Sequence, residues 1–184
     1  RENCDGYAYD PENPSRHIID MSENEIEVPE DYTREELRQD LLCYTSPVLK
    51  EDLVLTGDMT AELYISSDAP DTDFVVRVTD VDENGRSIKL ADGLLSARYR
   101  NGFARSEFLQ EGEIVCLKIR TTKLSNCFRK GHRIRVTVTS SAKNFIFPNS
   151  NTREGFASAR TVVAHNRVYH GGVHASRLTV RVEP

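Results

Sequence analysis

No tryptophan occurs in this chain, and it has only two methionines. Sugar-binding surfaces lean on broad aromatic platforms, so a carbohydrate-binding module built from this sequence would have only tyrosine and phenylalanine to stack with. Basic residues are outnumbered, 24 Lys and Arg against 29 Asp and Glu, for a net charge of −5. That balance argues against nucleic acid as a partner, because a phosphate binder needs a cationic stripe. No apolar run reaches membrane-spanning length and no charged-then-apolar leader opens the chain, so it reads as soluble, with no membrane partner. The four cysteines, Cys4, Cys43, Cys116 and Cys127, show no C-x-x-C spacing. They read as reduced thiols in a reducing, cytoplasmic compartment. Also missing is G-x-S-x-G, the strained strand-to-helix turn that exposes a nucleophilic serine. No catalytic residue, cofactor site or metal site is assigned on this chain.

What the sequence does contain is the period of two. Met59, Ala61, Leu63 and Ile65 alternate with Thr60, Glu62, Tyr64 and Ser66, which places one face of a strand in a core. Asp68-Ala69-Pro70-Asp71 breaks the run, and alternation resumes with Phe74, Val76 and Val78 opposite Val75, Arg77 and Thr79. Asn84-Gly85 predicts a tight hairpin turn with positive φ, and Asp92-Gly93 predicts a second one, giving strands in meander order. Further strands are expected over 114–121, over 133–139 with a wet, basic outward face, and over 177–182 with Leu178, Val180 and Val182 inward. Thr33 with Glu36 has capping-box spacing, so 34–39 predicts one or two helical turns.

These signals describe an all-β chain, a two-sheet antiparallel β-sandwich of jelly-roll type. Residues 1–31, loop-like and rich in proline and acid, read as a linker or extended N-terminal segment laid along a surface. Residues 32–184 read as one sandwich domain, and a chain of this length buries roughly 70% of its unfolded surface. The long stretch 144–159, rich in Asn, Ser and Gly, either carries function or crosses the sandwich.

Several clusters invite a chemical reading. Asp80, Asp82, Asn84 and Gly85 match the opening of a calcium loop, but the twelfth position is Ala91 in place of a bidentate carboxylate, which favours a hairpin turn. Asp68, Asp71 and Asp73 could collect a cation, or tie down a turn and pair with an arginine. His165, His170 and His174 have spacings that fit no zinc signature for a β-rich segment. Ser140 and Lys143 form S-x-x-K, whose chemistry needs the serine at a helix N-terminus; here it ends a strand.

From Ser66-Ser67-Asp68-Ala69-Pro70-Asp71-Thr72-Asp73-Phe74 onward the sequence resembles a known family. Asp40-Leu41-Leu42-Cys43-Tyr44, Val54-Leu55-Thr56-Gly57, Gly131-His132-Arg133-Ile134 and Asn149-Ser150-Asn151-Thr152 continue the likeness. It is similar to the C-terminal β-sandwich domain of the CocE/NonD hydrolases, which include esterases and X-prolyl dipeptidyl peptidases. The resemblance implies a jelly roll, galactose-binding-domain-like, that follows an α/β-hydrolase domain of the same parent protein. The Ser, Asp and His of the triad would then lie upstream of Arg1, which as a non-methionine first residue points to excision from something longer. Tyr7 to Pro14 matches the family's Tyr-x-Tyr-Asp-Pro-x-x-Pro linker, although the paired glycines usual after the last proline are not found. The loop beyond it carries Ile18, Ile19 and Met21, which the resemblance implies as wall residues of the substrate pocket. The function so implied is a non-catalytic support that walls a serine hydrolase's pocket; the alternative is a free-standing carbohydrate-binding jelly roll. The same reading leaves room for a homo-oligomer.

Overall fold

A computed structural model of the chain describes residues 3–19 and 29–182. Its strands, in chain order, are β1 (Cys4–Tyr9), β2 (Leu41–Thr45), β3 (Leu53–Gly57), β4 (Thr60–Ser67), β5 (Asp73–Val81), β6 (Ser87–Ser96), β7 (Val115–Arg120), β8 (Leu124–Phe128), β9 (Arg133–Thr139), β10 (Ala164–Gly171), β11 (His174–Ala175) and β12 (Arg177–Thr179). The first sheet runs β1-β10-β4-β12, with β7 on the other edge of β4 and β11 on β10, and the second runs β2-β9-β5-β6. The ladders are antiparallel, and β3 with β8 forms a separate two-stranded ribbon. The expected all-β antiparallel sandwich is therefore the observed one. Among the described residues no helix is long and apolar enough to cross a membrane.

The inner faces meet as alternation requires. Ala61, Leu63 and Ile65 of β4, Leu117 and Ile119 of β7, Phe74 and Val76 of β5 and Val138 of β9 make the main core. A smaller cluster of Leu55, Met59, Val78, Ala91 and Phe128 fills the space beneath the β3–β8 ribbon. Burial on this scale supplies the driving force, about 25 cal/mol per Å² of apolar surface removed from water.

Several expectations need correction. Cys4–Tyr9, inside the stretch read as loop-like linker, is a strand paired with β10, and Tyr7 and Tyr9 lie in the main core. The helical turns expected over 34–39 reduce to one 3-10 turn at Glu35–Leu37, and its N-terminus has no side-chain cap. Thr33 is occupied elsewhere, taking the Ser87 N–H at 2.9 Å. The hairpin at Asn84-Gly85 is present, but only Gly85 has positive φ, at 84°. Gly85 N–H reaches Asp82 O and Asp82 N–H reaches Arg86 O, each at 3.0 Å, the pattern of a three-residue loop with a left-handed last residue. Val180 and Val182, expected inward, are exposed.

Asp92-Gly93 is not a turn, since β6 runs straight through it. The glycine is needed for closeness: a Cβ on Gly93 would stand 2.4 Å from the carbonyl oxygen of Arg120, on the first sheet. Here the edge strands of the two sheets touch backbone to backbone, joined by Thr122 N–H to Asp92 O at 2.7 Å.

The outward face of β9 is not wet. Thr137 and Thr139, with Arg77 and Thr79 of β5 beside them, are almost completely buried. A third layer covers them, drawn from residues 10–19 and 29–37. Tyr32 lays its ring 4.6 Å from the Arg77 guanidinium. Glu36 accepts hydrogen bonds from Ser87 and Thr79 and pairs with Arg135. Strand β5 is consequently buried on both faces.

The strand order gathers four connections at one end of the sandwich: the chain after β1, the β4–β5 turn, the β6–β7 loop and the long β9–β10 crossing. Asp71, fully buried, ties three of them together. Its carboxylate accepts from Arg98 Nε at 2.8 Å, Arg98 N–H at 3.0 Å and Asn149 Nδ2 at 2.7 Å. Arg98 in turn donates to the carbonyls of Thr152 and Arg153, each at 3.0 Å.

Two outcomes follow for stability. Gly93→Ala forces backbone against backbone and is expected to cost about 2 kcal/mol, read as a fall of about 4–8 °C in Tm; an unchanged Tm would show that the sheets do not close there. Arg98→Met leaves the Asp71 carboxylate buried without its cation and is expected to cost about 3 kcal/mol in urea denaturation.

Candidate functional site

The residues singled out by sequence, Ile18 and Ile19, are half-buried over the outer face of the second sheet, Ile18 on the side of the β5–β6 hairpin with Asp31, Asn84 and Arg86; Met21 lies outside the described residues. Their placement is built stepwise from the chain beyond Pro14. Ser15 donates its N–H to Ser141 Oγ at 2.9 Å and its hydroxyl to Ser141 O at 2.8 Å. Lys143 N–H reaches Ser15 O and His17 N–H reaches Lys143 O, so residues 15–17 lie as a short parallel addition beside 141–143. Arg16 N–H goes to Glu35 Oε1 at 2.7 Å, and Ile18 N–H to the Tyr32 hydroxyl at 3.1 Å. Successive backbone groups are thus individually anchored.

The side chain of His17 completes the fixing. Lys89 Nζ lies 2.8 Å from His17 Nε2, 2.7 Å from Glu30 Oε1 and 3.1 Å from Asp92 Oδ2. An ammonium has three protons and nothing to accept with, so these three acceptors saturate it and assign His17 Nε2 as the unprotonated nitrogen. His17 Nδ1–H then donates to Ile19 O at 2.9 Å. Phe145 stacks on the imidazole, ring centroids 4.9 Å apart. Burial works against ionisation of Asp92, and the Lys89 ammonium 3.1 Å away favours it.

A β-bulge makes this clamp available. Residues two apart share a face, so Lys89 and Asp92, three apart, would point to opposite faces of a regular strand. The register passes from Val78↔Ala91 to Thr79↔Lys89, leaving Leu90 unpaired. The extra residue turns both Lys89 and Asp92 outward, toward His17. Neither lysine, histidine nor bulge was singled out by sequence; the only trace was Lys89 and Asp92 standing three apart in a strand.

The other clusters resolve into structural roles. Ser140 is fully buried and bonded to Tyr7 Oη at 2.7 Å and Asn166 Nδ2 at 2.9 Å, at the end of a strand where S-x-x-K chemistry has no helix. Asp82 accepts the N–H groups of Asn84 and Arg86, while Asp80 faces His132 Nδ1 at 2.8 Å. Asp68 binds His165 and Asp71 binds Arg98, whereas Asp73, whose carboxyl is pushed up by burial, accepts from Asn149 at 2.9 Å. His165 and His170 pair with different carboxylates, Asp68 and Asp5. Among the described residues no three His, Cys, Asp or Glu side chains are placed to hold one metal ion. The four cysteines are free thiols.

The loop-rich end also exposes aromatic surface. Phe103, Phe147 and Phe156 are each more than 70% exposed, and Phe147 stacks on Phe156 at 5.7 Å.

Comparison with known proteins bears on what that surface is. Residues 3–179 match the family model described as the X-Pro dipeptidyl-peptidase C-terminal non-catalytic domain. The chain is 35% identical over 188 aligned positions to cocaine esterase from Rhodococcus sp. (strain MB1 Bresler), an alignment covering 98% of this chain and 32% of that protein. It is 33% identical over 161 positions to a putative serine esterase of Mycobacterium bovis, covering 77% of this chain and 24% of the relative. Among solved structures it superposes on an α-amino acid ester hydrolase with a TM-score of 0.91 at 23% identity, over 98% of this chain and 32% of that one, a likeness of fold. The chain thus spans about a third or less of the length of the curated relatives it matches. With a sandwich of this topology, a family match over nearly its whole length and an esterase relative above 30% identity, the chain belongs to the C-terminal, non-catalytic domain family of the CocE/NonD-type hydrolases.

Proposed function

We propose that this sandwich packs on an α/β-hydrolase domain of the same longer polypeptide and lends residues 17–19 to the wall of that domain's substrate pocket. The observation that carries the proposal is the coverage: nearly all of this chain aligns with only 32% of an esterase, so the esterase has ample chain besides to hold its reactive groups. The exposed Phe103, Phe147 and Phe156 give the docking surface, and the saturated Lys89 clamp gives the wall its rigidity. A fixed apolar wall excludes water and sets how large an acyl group fits, without supplying a proton or a nucleophile. The reaction served is hydrolysis of an acyl ester, or of a peptide bond after X-Pro, through an acyl-enzyme. Four free thiols support a reducing, cytoplasmic setting.

Two measurements test this. The 184-residue chain alone is expected not to hydrolyse a p-nitrophenyl acyl ester or an X-Pro anilide; turnover that disappears in Ser140→Ala would overturn the support role. In the longer polypeptide, Ile18→Ala is expected to shift relative kcat/KM toward bulkier acyl groups by about tenfold, the worth of a methylene or two in an apolar pocket. Unchanged acyl preference in a variant with unchanged Tm would remove residues 17–19 from the pocket.

A further inference from the structure

The two sheets do not close everywhere. At the end of the sandwich opposite the loops, between β2 and β9 on one side and β4, β10 and β12 on the other, lies a cavity of about 140 Å³. Its walls are Ala61, Leu63, Val136, Val138, Val168 and Leu178, aliphatic side chains with no polar atom. Tyr44 of β2 also lines it. The Tyr44 hydroxyl is out of contact with water and forms no hydrogen bond of ordinary geometry among the described residues, with the Asp5 carboxylate close enough to act on it.

Charges near the mouth are already matched. His170 Nε2 faces Asp5 at 3.1 Å and Arg177 pairs with Glu62. Ser176 Oγ takes the N–H of Tyr64 at 2.9 Å. An ionic ligand would therefore find no free counter-charge here, while a buried hydroxyl left unbonded forgoes about the free energy of one hydrogen bond. Burial raises the pKa of Tyr44, with the Asp5 carboxylate adding to it, so the hydroxyl keeps its proton and stands as a donor at neutral pH.

We propose that this inter-sheet cavity is a binding site for a small neutral molecule, a ring or short branched chain of about benzene size carrying one acceptor oxygen that meets Tyr44 Oη. Size and lining support it: apolar cavities of about 150 Å³ lined by aliphatic side chains stay dry and take up benzene. The site stands apart from the pocket wall at residues 17–19 and rests on neither the hydrolase partner nor the docking surface.

The test is a titration of the 184-residue chain, labelled at its Ala, Leu and Val methyl groups, with toluene and with phenol. Both probes are expected to shift the methyls of Ala61, Leu63, Val136 and Val138. Tyr44→Phe is expected to weaken phenol about fivefold, one ordinary hydrogen bond, and to leave toluene within about twofold. Ala61→Leu fills the cavity and is expected to remove both. No shift of these methyls up to the solubility limit of toluene would overturn the site. Equal effects of Tyr44→Phe on both probes would overturn the assigned role of the hydroxyl, and that comparison stands even where Ala61→Leu fails to fold.

Discussion

The structure turns on the burial of a polar sheet face. The second sheet packs its apolar side inward like any sandwich, yet its other side carries Arg77, Thr79, Ser87, Thr137 and Thr139, all nearly inaccessible. A guanidinium taken out of water costs several kcal/mol unless partners replace its hydration, so hydrophobic cover could not serve here. Residues 10–19 and 29–37 bring part of what is needed: the Tyr32 ring over the Arg77 cation, the Glu36 carboxylate for Thr79, Ser87 and Arg135, and the Ser15 hydroxyl beside Thr139, while Arg77 Nε and Thr137 Oγ1 stay buried without a partner among the described residues. This part of the chain is thus a layer of the fold, joined to it by oriented bonds that a slide of one residue would break.

That directionality is what a pocket wall requires. Apolar contact alone would let residues 16–19 settle in several registers, because it has no preferred angle. Instead each backbone N–H from Ser15 to Ile18 has a named partner, and the His17 ring is held by Lys89 at Nε2 and by Phe145 stacked on its face. Lys89 has no spare proton for a different acceptor, so the clamp has one arrangement that satisfies every member. On the function proposed above, a wall fixed in this way can discriminate acyl groups without moving during the reaction.

The period of two was enough to expose β4, β5 and β9, whose expected inward residues Leu63, Phe74 and Val138 are core, and the acidic Pro-containing break at 68–71 is the turn between β4 and β5. What alternation cannot show is what lies against the other face. Arg77 and Thr137 look like solvent-facing positions to any local reading, and only the third layer makes them interior. The same holds for Cys4–Tyr9, whose partner strand stands more than 150 residues away at Ala164–Gly171, while two nearby prolines suggest a linker. Gly93 misled for a different reason: Asp-Gly is the composition of a turn, but a glycine is equally the residue that lets two backbones touch. The clamp that holds Ile18 and Ile19 depends on a one-residue bulge at Leu90 that leaves no local pattern.

The two ends of the sandwich carry opposite solutions to the same closing problem. At the edge formed by β6 and β7, Gly93 lets the sheets meet in contact. At the edge formed by β2 and β12, they part around a void of about 140 Å³. At roughly 24 cal/mol per Å³, an unfilled void of that size forgoes up to about 3 kcal/mol of packing, a sizeable share of the 5–15 kcal/mol by which a domain is stable. A molecule that filled it would return part of that stabilisation to the folded state alone, in proportion to RT ln(1 + [L]/Kd). Because β5 and β9 run from the cavity end to the loops around Asp71 and Ser141, stability gained at the void would be shared with the loop-rich end through β9 and through β5, which is buried on both faces.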